Sequence, residues 1–269
     1  MDDLLRPEFL AIPGAELGHR VIVKQKTGST NDEAKALAEE GASHGVVVMA
    51  EEQVKGRGRL GRNWHSPAGK DLLFSVILRD LVNISAGLIT LGAGVAVAEA
   101  VSELCGLPAK IKWPNDVRIK GKKLAGILAE AGGKAEVAYV VMGIGLNVNS
   151  ERAELAEEIR ASATSLYIET ERQWPRVLIY QKVMDKLTAV SREWARGESE
   201  GLLERWLGLS EARGKRVRAE TAGRAITGAV LGVRDDGALR MLDENGDEQA
   251  ILAGDITILE DEETEGNPS

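Results

Sequence analysis

The segment from residue 53 to residue 67 carries the residue types best suited to binding an anion. It reads Gln-Val-Lys-Gly-Arg-Gly-Arg-Leu-Gly-Arg-Asn-Trp-His-Ser-Pro. Three arginines, Arg57, Arg59 and Arg62, supply forked and permanently charged donors that suit phosphate or carboxylate. The glycines between them let the backbone turn freely and come close to a ligand. Trp64 adds a flat face for stacking on a ring, and we therefore predict that this arginine loop, residues 55–66, is the functional centre.

Two nucleotide-binding patterns match the loop by letter, but neither has the surroundings it requires. The spacing G-x-G-x-x-G from residue 56 fits the dinucleotide fingerprint, yet residues 63–69 have turn chemistry where a helix should receive the pyrophosphate. The same stretch resembles a P-loop, except that Arg62 and Asn63 replace the lysine and the Ser/Thr that bind phosphate and Mg²⁺. A solvated basic loop on an acidic protein is the third interpretation.

The composition is that of an acidic globular chain. Its 269 residues are 43% hydrophobic and 28% charged, with a net charge of −8, so we expect one sizeable domain plus a small one. The negative charge argues against a nucleic-acid or membrane partner. The first residues are acidic, unlike a signal peptide, and the most apolar run, 86–98, is too short to span a bilayer. A single cysteine, Cys105, forbids an internal disulfide and fits a cytoplasmic location.

Strand and helix patterns mix along the first 212 residues. Hydrophobic periodicity predicts buried strands at 46–50 and 72–78 on either side of the arginine loop. Helices are predicted over 88–104, 151–160 and 174–198. Thr30 and Glu33 have the spacing of a capping box at the start of another helix. A strand predicted over 138–148 contains Gly143 and Gly145, and glycine within a strand indicates close approach by a ligand or another backbone.

A change in composition near residue 213 indicates a second domain. Beyond it, five short strands separated by turn sequences predict a small β-barrel over residues 213–260. Residues 261–269 are acidic and are expected to form a disordered tail. The predicted architecture is therefore a mixed α/β catalytic domain over residues 1–212, followed by the barrel.

Four motifs stand in the order and form seen in biotin protein ligases. They are Gly-Arg-Gly-Arg-Leu-Gly-Arg-Asn-Trp from residue 56, Lys-Trp-Pro-Asn-Asp from 112, Lys-Leu-Ala-Gly-Ile-Leu from 123 and Gly-Ile-Gly-Leu-Asn-Val-Asn from 143. From about residue 20 onward the chain resembles this family. The resemblance implies an α/β (α+β) mixed-sheet catalytic domain of the biotin/lipoate ligase type with an SH3-like C-terminal β-barrel.

The resemblance also implies the reaction. The carboxylate of biotin attacks the α-phosphate of ATP, with Mg²⁺ present, and gives biotinoyl-5′-AMP and pyrophosphate. A lysine amine of a biotin carboxyl carrier protein, or of such a domain in a biotin-dependent carboxylase, then displaces AMP. Two anions meet without an enzyme nucleophile, so arginine and lysine act by neutralising charge. Lipoate-protein ligase is the alternative, because it uses the same adenylation chemistry on a similar fold.

Family motifs assign roles position by position. Biotin is expected to contact Ser29, Thr30, Asn31, Gln53, Arg57, Gly58, Arg59, Lys123, Gly126, Gly143 and Gly145. The nucleotide is expected to contact Arg59, Arg62, Trp64, Lys112 and Asn147. Catalysis is assigned to Arg59, Lys112, Asp116 and Lys123, with Asp116 either holding Mg²⁺ or orienting the incoming amine. Structural roles stay open for Trp64 as a hydrophobic anchor of the loop and for Ser29 and Thr30 as helix caps.

One departure from the family pattern concerns regulation. Bifunctional members carry an N-terminal winged-helix DNA-binding domain, whereas only about 20 residues precede the first predicted strand here, too few for a helix-turn-helix domain. We therefore expect the monofunctional type, with no nucleic-acid partner. Family members often pair through the catalytic sheet, so a homodimer is a further expectation.

Overall fold

A seven-stranded sheet forms the framework of the larger part of the chain. The computed structural model describes residues 5–81, 84–133, 138–221 and 223–259, so the predicted acidic tail lies outside the described residues. The sheet has the order β1-β2-β3-β7-β6-β5-β4. Its strands are β1 Val21–Lys24, β2 Val47–Ala50, β3 Leu72–Arg79, β4 Lys110–Lys112, β5 Asp116–Ile119, β6 Lys122–Gly132 and β7 Tyr139–Leu146. β1 pairs parallel with β2, and the other neighbours are antiparallel.

Helices cover the sheet, and α3 is the most deeply buried of them. The helices are α1 Pro7–Leu10, α2 Thr30–Glu39, α3 Ala86–Cys105, α4 Leu166–Thr170, α5 Arg176–Arg196 and α6 Glu200–Leu209. The Ser85 hydroxyl caps α3 by accepting from the Leu88 N–H at 2.9 Å. The helix ends where Gly106 takes a left-handed φ of 69°. α3 packs against β6, α5 and α6.

Helix α3 is longer than the apolar run 86–98 that it contains. The run extends into a helix of 20 residues, and among the described residues this is the one helix long and apolar enough to cross a membrane. The prediction that the segment is too short to span is therefore wrong. Its apolar composition is explained by its position instead, because most of its residues are buried between the sheet and two other helices.

Other differences from the predicted elements have local causes. The helix predicted over 151–160 does not form, and residues Glu157–Ile159 make a single 3₁₀ turn. The Arg160 guanidinium donates to the carbonyls of Ala153 and Leu155, which a helix would have used for its own backbone. α5 begins at Arg176, two residues later than predicted, because Pro175 holds the N-cap position. The sequence patterns did not reveal α4 and α6.

The C-terminal strands agree with the predicted SH3-like domain. They are β8 Arg216–Thr221, β9 Arg224–Val233, β10 Leu239–Asp243, β11 Glu248–Ile251 and β12 Asp255–Ile258. They form an antiparallel sheet in the order β11-β10-β9-β8-β12. The turn before β10 packs on the larger part of the chain, since the buried Trp113 indole donates to the Gly237 carbonyl at 3.1 Å. The mixed α/β fold class is thus confirmed.

The contact between α3 and α5 depends on Gly92, which has no side chain. A Cβ placed on Gly92 would lie 2.6 Å from Cζ2 of Trp194 and 2.8 Å from Cγ1 of Val190, both on α5. Two residues along, a Cβ on Gly94 would meet only methyl groups of Ile111, at 3.7 and 3.8 Å, which are ordinary contact distances. Gly92 therefore sets how closely the two helices pack, whereas Gly94 does not.

Substituting the two glycines of α3 should change stability in opposite directions. Gly92→Ala overpacks the helix contact, at a cost of about 1–3 kcal/mol. Gly94→Ala has room and gains about 0.8–1 kcal/mol of helix propensity. Urea unfolding should move to lower concentration for Gly92→Ala and stay the same or rise for Gly94→Ala. Shifts in the same direction would contradict this description of the helix contact.

Candidate active site

Glycines on two neighbouring strands give the sheet a smooth face beneath the arginine loop. In the register of β6 with β7, Gly126 lies opposite Gly145. A Cβ on Gly143 would lie 2.1 Å from Oδ1 of Asn31, and one on Gly145 would lie 2.5 Å from the Trp64 indole. The close approach that strand glycines indicate is therefore present, and here the protein's own side chains make it.

A chain of hydrogen bonds crosses this face from the end of β2 to β6. Gln53 Oε1 accepts from the Thr30 N–H at 2.6 Å and lies 3.0 Å from its hydroxyl. The Ser75 hydroxyl lies 2.8 Å from that of Thr30 and donates to Asn31 Oδ1 at 2.6 Å. Asn31 Nδ2 donates to Glu130 Oε2 at 2.7 Å. These amides and hydroxyls are thus oriented in advance, as a small ring with both N–H donors and a carbonyl acceptor requires.

The same bonds replace the predicted helix cap. α2 begins at Thr30, so Ser29 holds the N-cap position, and its side chain makes no capping hydrogen bond. Gln53 satisfies the Thr30 N–H instead. Glu33 accepts from the Thr27 hydroxyl at 2.7 Å. The capping-box prediction is therefore wrong, because a side chain from another part of the chain satisfies the helix N-terminus.

The arginine loop is a closed, hairpin-like turn. The Gly58 N–H donates to the Arg62 carbonyl at 2.7 Å, and the Trp64 N–H donates to the Gly56 carbonyl at 2.9 Å. At the tip, Arg59–Gly61 forms a 3₁₀ turn in which Leu60 takes a left-handed φ of 54°. The loop is folded on itself and is not an irregular coil.

Two of the loop's arginines are held by carboxylates of other elements. Arg57 pairs with Asp32 of α2 at 2.6 Å and with Glu130 of β6 at 3.0 Å. Arg62 pairs with Asp255 of β12 at 2.9 Å. These contacts tie one side of the loop to the catalytic sheet and the other side to the C-terminal sheet.

Arg59 is held differently. Its Nη1 lies 3.3 Å from the Gly254 carbonyl and 3.5 Å from Asn115 Oδ1. Among the described residues it makes no ion pair. Burial lowers the pKa of Arg59, and the nearby carboxylates of Asp255 and Asp116 counteract that effect. A partly buried guanidinium without an ion pair is well placed to attract an anion.

Two lysines and a carboxylate, Lys112, Lys123 and Asp116, lie beside the arginine loop. Lys123 Nζ lies 2.7 Å from Asp116 Oδ1 and 5.5 Å from the centre of the Trp64 ring. Lys112 faces Asp116 in the pairing of β4 with β5, and it makes no ion pair among the described residues. Asn115 is fixed to β6, because its Nδ2 donates to the Ile127 carbonyl at 2.9 Å.

These groups line one cavity of about 320 Å³ between the glycine face and the loop. The predicted site residues brought together there are Ser29, Thr30, Asn31, Gln53, Arg57, Gly58, Arg59, Arg62, Trp64, Lys112, Asp116, Lys123, Gly126, Gly143 and Gly145. Asn147 is not among them. Its Nδ2 donates to the Thr164 carbonyl at 2.9 Å in the protein interior, and its contact with the nucleotide stays a prediction.

A second, open cleft of about 930 Å³ lies on the other side of the arginine loop. Thr90 and Leu91 of α3, Pro114 and Leu252 contribute to its walls together with the loop. The loop therefore borders two spaces, and the second is the larger. A small ring fits the first, and the second is large enough for a nucleotide.

Sequence reasoning missed three residues that hold this site together. Ser75 is the one polar residue in the apolar run 72–78, which is a signal that could have revealed it. Glu130 and Asp255 carry no such signal, because each acts on a residue far away in the chain. Their separations are 99 residues from Asn31 and 193 from Arg62.

Comparison with known proteins agrees with the fold. Residues 22–147 match the biotin/lipoate A/B protein ligase family, and residues 213–259 match the biotin protein ligase C-terminal domain. A biotin–[acetyl-CoA-carboxylase] ligase of Mycobacterium tuberculosis is 37% identical, with 91% of this chain and 92% of the relative covered. The bifunctional ligase/repressor BirA of Bacillus subtilis is 33% identical, with 90% of this chain and 75% of the relative covered.

The solved structure of biotin protein ligase from Aquifex aeolicus in complex with biotin and ATP is also similar. It superposes with a TM-score of 0.78 at 31% identity, covering 89% of this chain and 98% of that one. The family match and the fold thus define a ligase of the biotin/lipoate class. Within that class, the chain belongs to the biotin protein ligase family. The relatives favour biotin over lipoate as the substrate.

Proposed function

We propose that this biotin protein ligase makes biotinoyl-5′-AMP from biotin and ATP beneath the arginine loop and transfers biotin to a lysine of a carboxylase carrier protein. One observation carries the proposal: Arg59, Lys112 and Lys123 line the same cavity as an oriented chain of amides and hydroxyls. That combination suits a polar ring at one end and reacting anions at the other.

The polar end would receive the ureido ring of biotin. Thr30, Asn31 and Gln53 offer both donors and acceptors to a group with N–H bonds and a carbonyl. The carboxylate of biotin then extends toward Lys123. Lys123 is paired with Asp116 in the structure, so its charge is compensated until an anionic ligand arrives.

Adenylation needs charge neutralisation instead of a protein nucleophile. A carboxylate oxygen of biotin attacks the α-phosphorus, a mixed anhydride forms and pyrophosphate leaves. We assign Arg59 and Lys112 to the charge that develops on the phosphate, because neither is committed to an ion pair among the described residues. Preorganised cations of this kind lower the barrier without reorganising during the reaction.

Transfer needs a neutral lysine amine. The carrier lysine attacks the carbonyl of the anhydride, AMP leaves, and the amine loses a proton. Asp116 lies at the cavity and is the carboxylate we assign to orient the incoming ammonium group. This proposal follows from the chemistry of the step, since a carboxylate both attracts a cation and accepts its proton.

Mg²⁺ would accompany ATP and shield the charge of the phosphates. Proteins commonly hold it through one or two carboxylates together with substrate phosphates. Asp116 fits that pattern as a single carboxylate. Within the described ranges, no group of three or more His, Cys, Asp or Glu side chains could hold a metal ion.

The proposed setting is a cytoplasmic enzyme, as a homodimer, with no nucleic-acid or membrane partner. The net charge of −8 supports the absence of a DNA or lipid-surface partner. The single cysteine fits a reducing compartment. The homodimer rests on the family resemblance and is testable by sedimentation.

The function is tested by mass spectrometry of a recombinant carrier domain. After incubation with the enzyme, ATP and Mg²⁺, the domain should gain one biotin on a single lysine and no lipoyl group when lipoate replaces biotin. A carrier domain whose acceptor lysine is replaced by arginine should remain unmodified. Lipoylation at a rate similar to biotinylation, or no modification, would contradict the proposal.

Lys112 should matter for the first half-reaction. Lys112→Ala should slow pyrophosphate release from biotin and ATP, measured without a carrier protein, by roughly 10²–10³-fold, the scale of one lost transition-state donor. The matched control is Lys110→Ala on the same strand, whose exposed Nζ bonds to the Gly208 carbonyl. Equal rates for the two variants would remove Lys112 from the reaction.

A further inference from the structure

The carboxylate of Glu130 on β6 contacts both Asn31, which is assigned to biotin, and Arg57 of the arginine loop. Glu130 Oε2 accepts from Asn31 Nδ2 at 2.7 Å and from Arg57 Nη2 at 3.0 Å. Its Oε1 accepts from Lys35 Nζ at 2.7 Å. A single oxygen therefore contacts both a residue assigned to biotin and the loop that covers the cavity.

The charge of Glu130 favours one orientation of the Asn31 amide, and the Leu128 carbonyl, 3.3 Å from Asn31 Nδ2, favours the same one. Burial raises the pKa of Glu130, but hydrogen bonds from Lys35 and Asn31 and the charges of Lys35 and Arg57 outweigh it, so its pKa is lowered. An ionised carboxylate can only accept hydrogen bonds. It therefore draws Nδ2 of Asn31 toward itself and leaves Oδ1 facing the Ser75 hydroxyl. The reversed amide would place two oxygens together.

The same carboxylate is the better shielded of the two that hold Arg57. The Glu130 side chain is 23% exposed, whereas that of Asp32 is 58% exposed. Exposed ion pairs contribute little because water and salt screen them. Glu130 is therefore the main anchor of this side of the arginine loop.

We propose that Glu130 is a positioning residue that couples closure of the arginine loop to the orientation of Asn31. Closing the loop brings Arg57 onto the oxygen that fixes Asn31, and fixing Asn31 prepares the biotin site. Binding of biotin and loop closure should then strengthen each other. The inference rests on the proposed function, because that function assigns Asn31 to biotin.

Glu130→Gln tests the coupling. Glutamine keeps the size but loses the charge, and its NH₂ group would face other donors. The dissociation constant for biotin, measured by calorimetry without ATP, should rise about ten- to a hundredfold, the range for a lost hydrogen bond to a charged group. KM for biotin should rise more than kcat falls, and protease should cut residues 55–66 of the ligand-free variant faster.

Two control variants separate the parts of the proposal. Lys35→Gln removes the third partner of the same carboxylate without touching Asn31 or Arg57, so biotin affinity should stay near that of the unmodified protein. Asp32→Asn removes the more exposed partner of Arg57, so it should loosen the loop toward protease and lower biotin affinity, both by less than Glu130→Gln. Equal losses of biotin affinity in Lys35→Gln and Glu130→Gln would reveal a general destabilisation and overturn the proposal.

Unchanged biotin affinity in Glu130→Gln would also overturn it. Pyrophosphate release by the unmodified protein with biotin and ATP shows separately whether the proposed function holds. If Glu130→Gln does not fold, as judged by its thermal transition, Glu130→Asp takes its place. Aspartate keeps the charge but is one methylene shorter and cannot reach Asn31 and Arg57 together. Biotin affinity equal to that of the unmodified protein in Glu130→Asp would therefore contradict the coupling.

Discussion

Repulsion between like charges is the constraint on which this site depends. Cations are crowded around one small cavity that must stay folded before any anion arrives. Carboxylates from α2, β5, β6 and β12 compensate Arg57, Arg62 and Lys123. Arg59 and Lys112 make no ion pair among the described residues. The ion pairs of Arg57 and Arg62 hold the arginine loop. In the proposed function Arg59 and Lys112 act on the substrates, and Lys123, paired with Asp116 before binding, receives the carboxylate of biotin.

The need to hold the arginines of the loop also explains why the C-terminal sheet belongs to the site. The segment that leads into β12 provides the Gly254 carbonyl to Arg59 and the Asp255 carboxylate to Arg62. On the opposite side, the turn before β10 accepts from the buried Trp113 indole, which follows β4 directly. The barrel thus reaches both the arginine loop and the strand that carries Lys112. A shift of the barrel would change the charges around the cavity.

The sequence predicted what local pattern and motif determine. Periodicity located most strands and α3, and the four motifs contain most of the residues that line the cavity, although Ser29, Thr30, Asn31 and Gln53 lie outside them. Two of the failures have a common cause, because in each a side chain takes a hydrogen bond that the local pattern assigns to a helix. Gln53 replaces the cap of α2, and Arg160 takes carbonyls from the helix predicted over 151–160. Glu130 becomes visible only when the sheet brings it beside Asn31, whereas Ser75 is already marked as the one polar residue of the apolar run 72–78.

Hydrogen exchange of the arginine loop tests most directly whether ligand charge completes the site. Residues 55–66 should exchange slowly with biotin and ATP present and faster without ligand, because binding selects the closed loop. Biotin alone should give intermediate protection, since it supplies one of the two anions. Peptides from the buried helix α3 serve as the internal reference. Equal exchange of the loop in all three conditions would contradict the claim that the substrates' charge holds it closed.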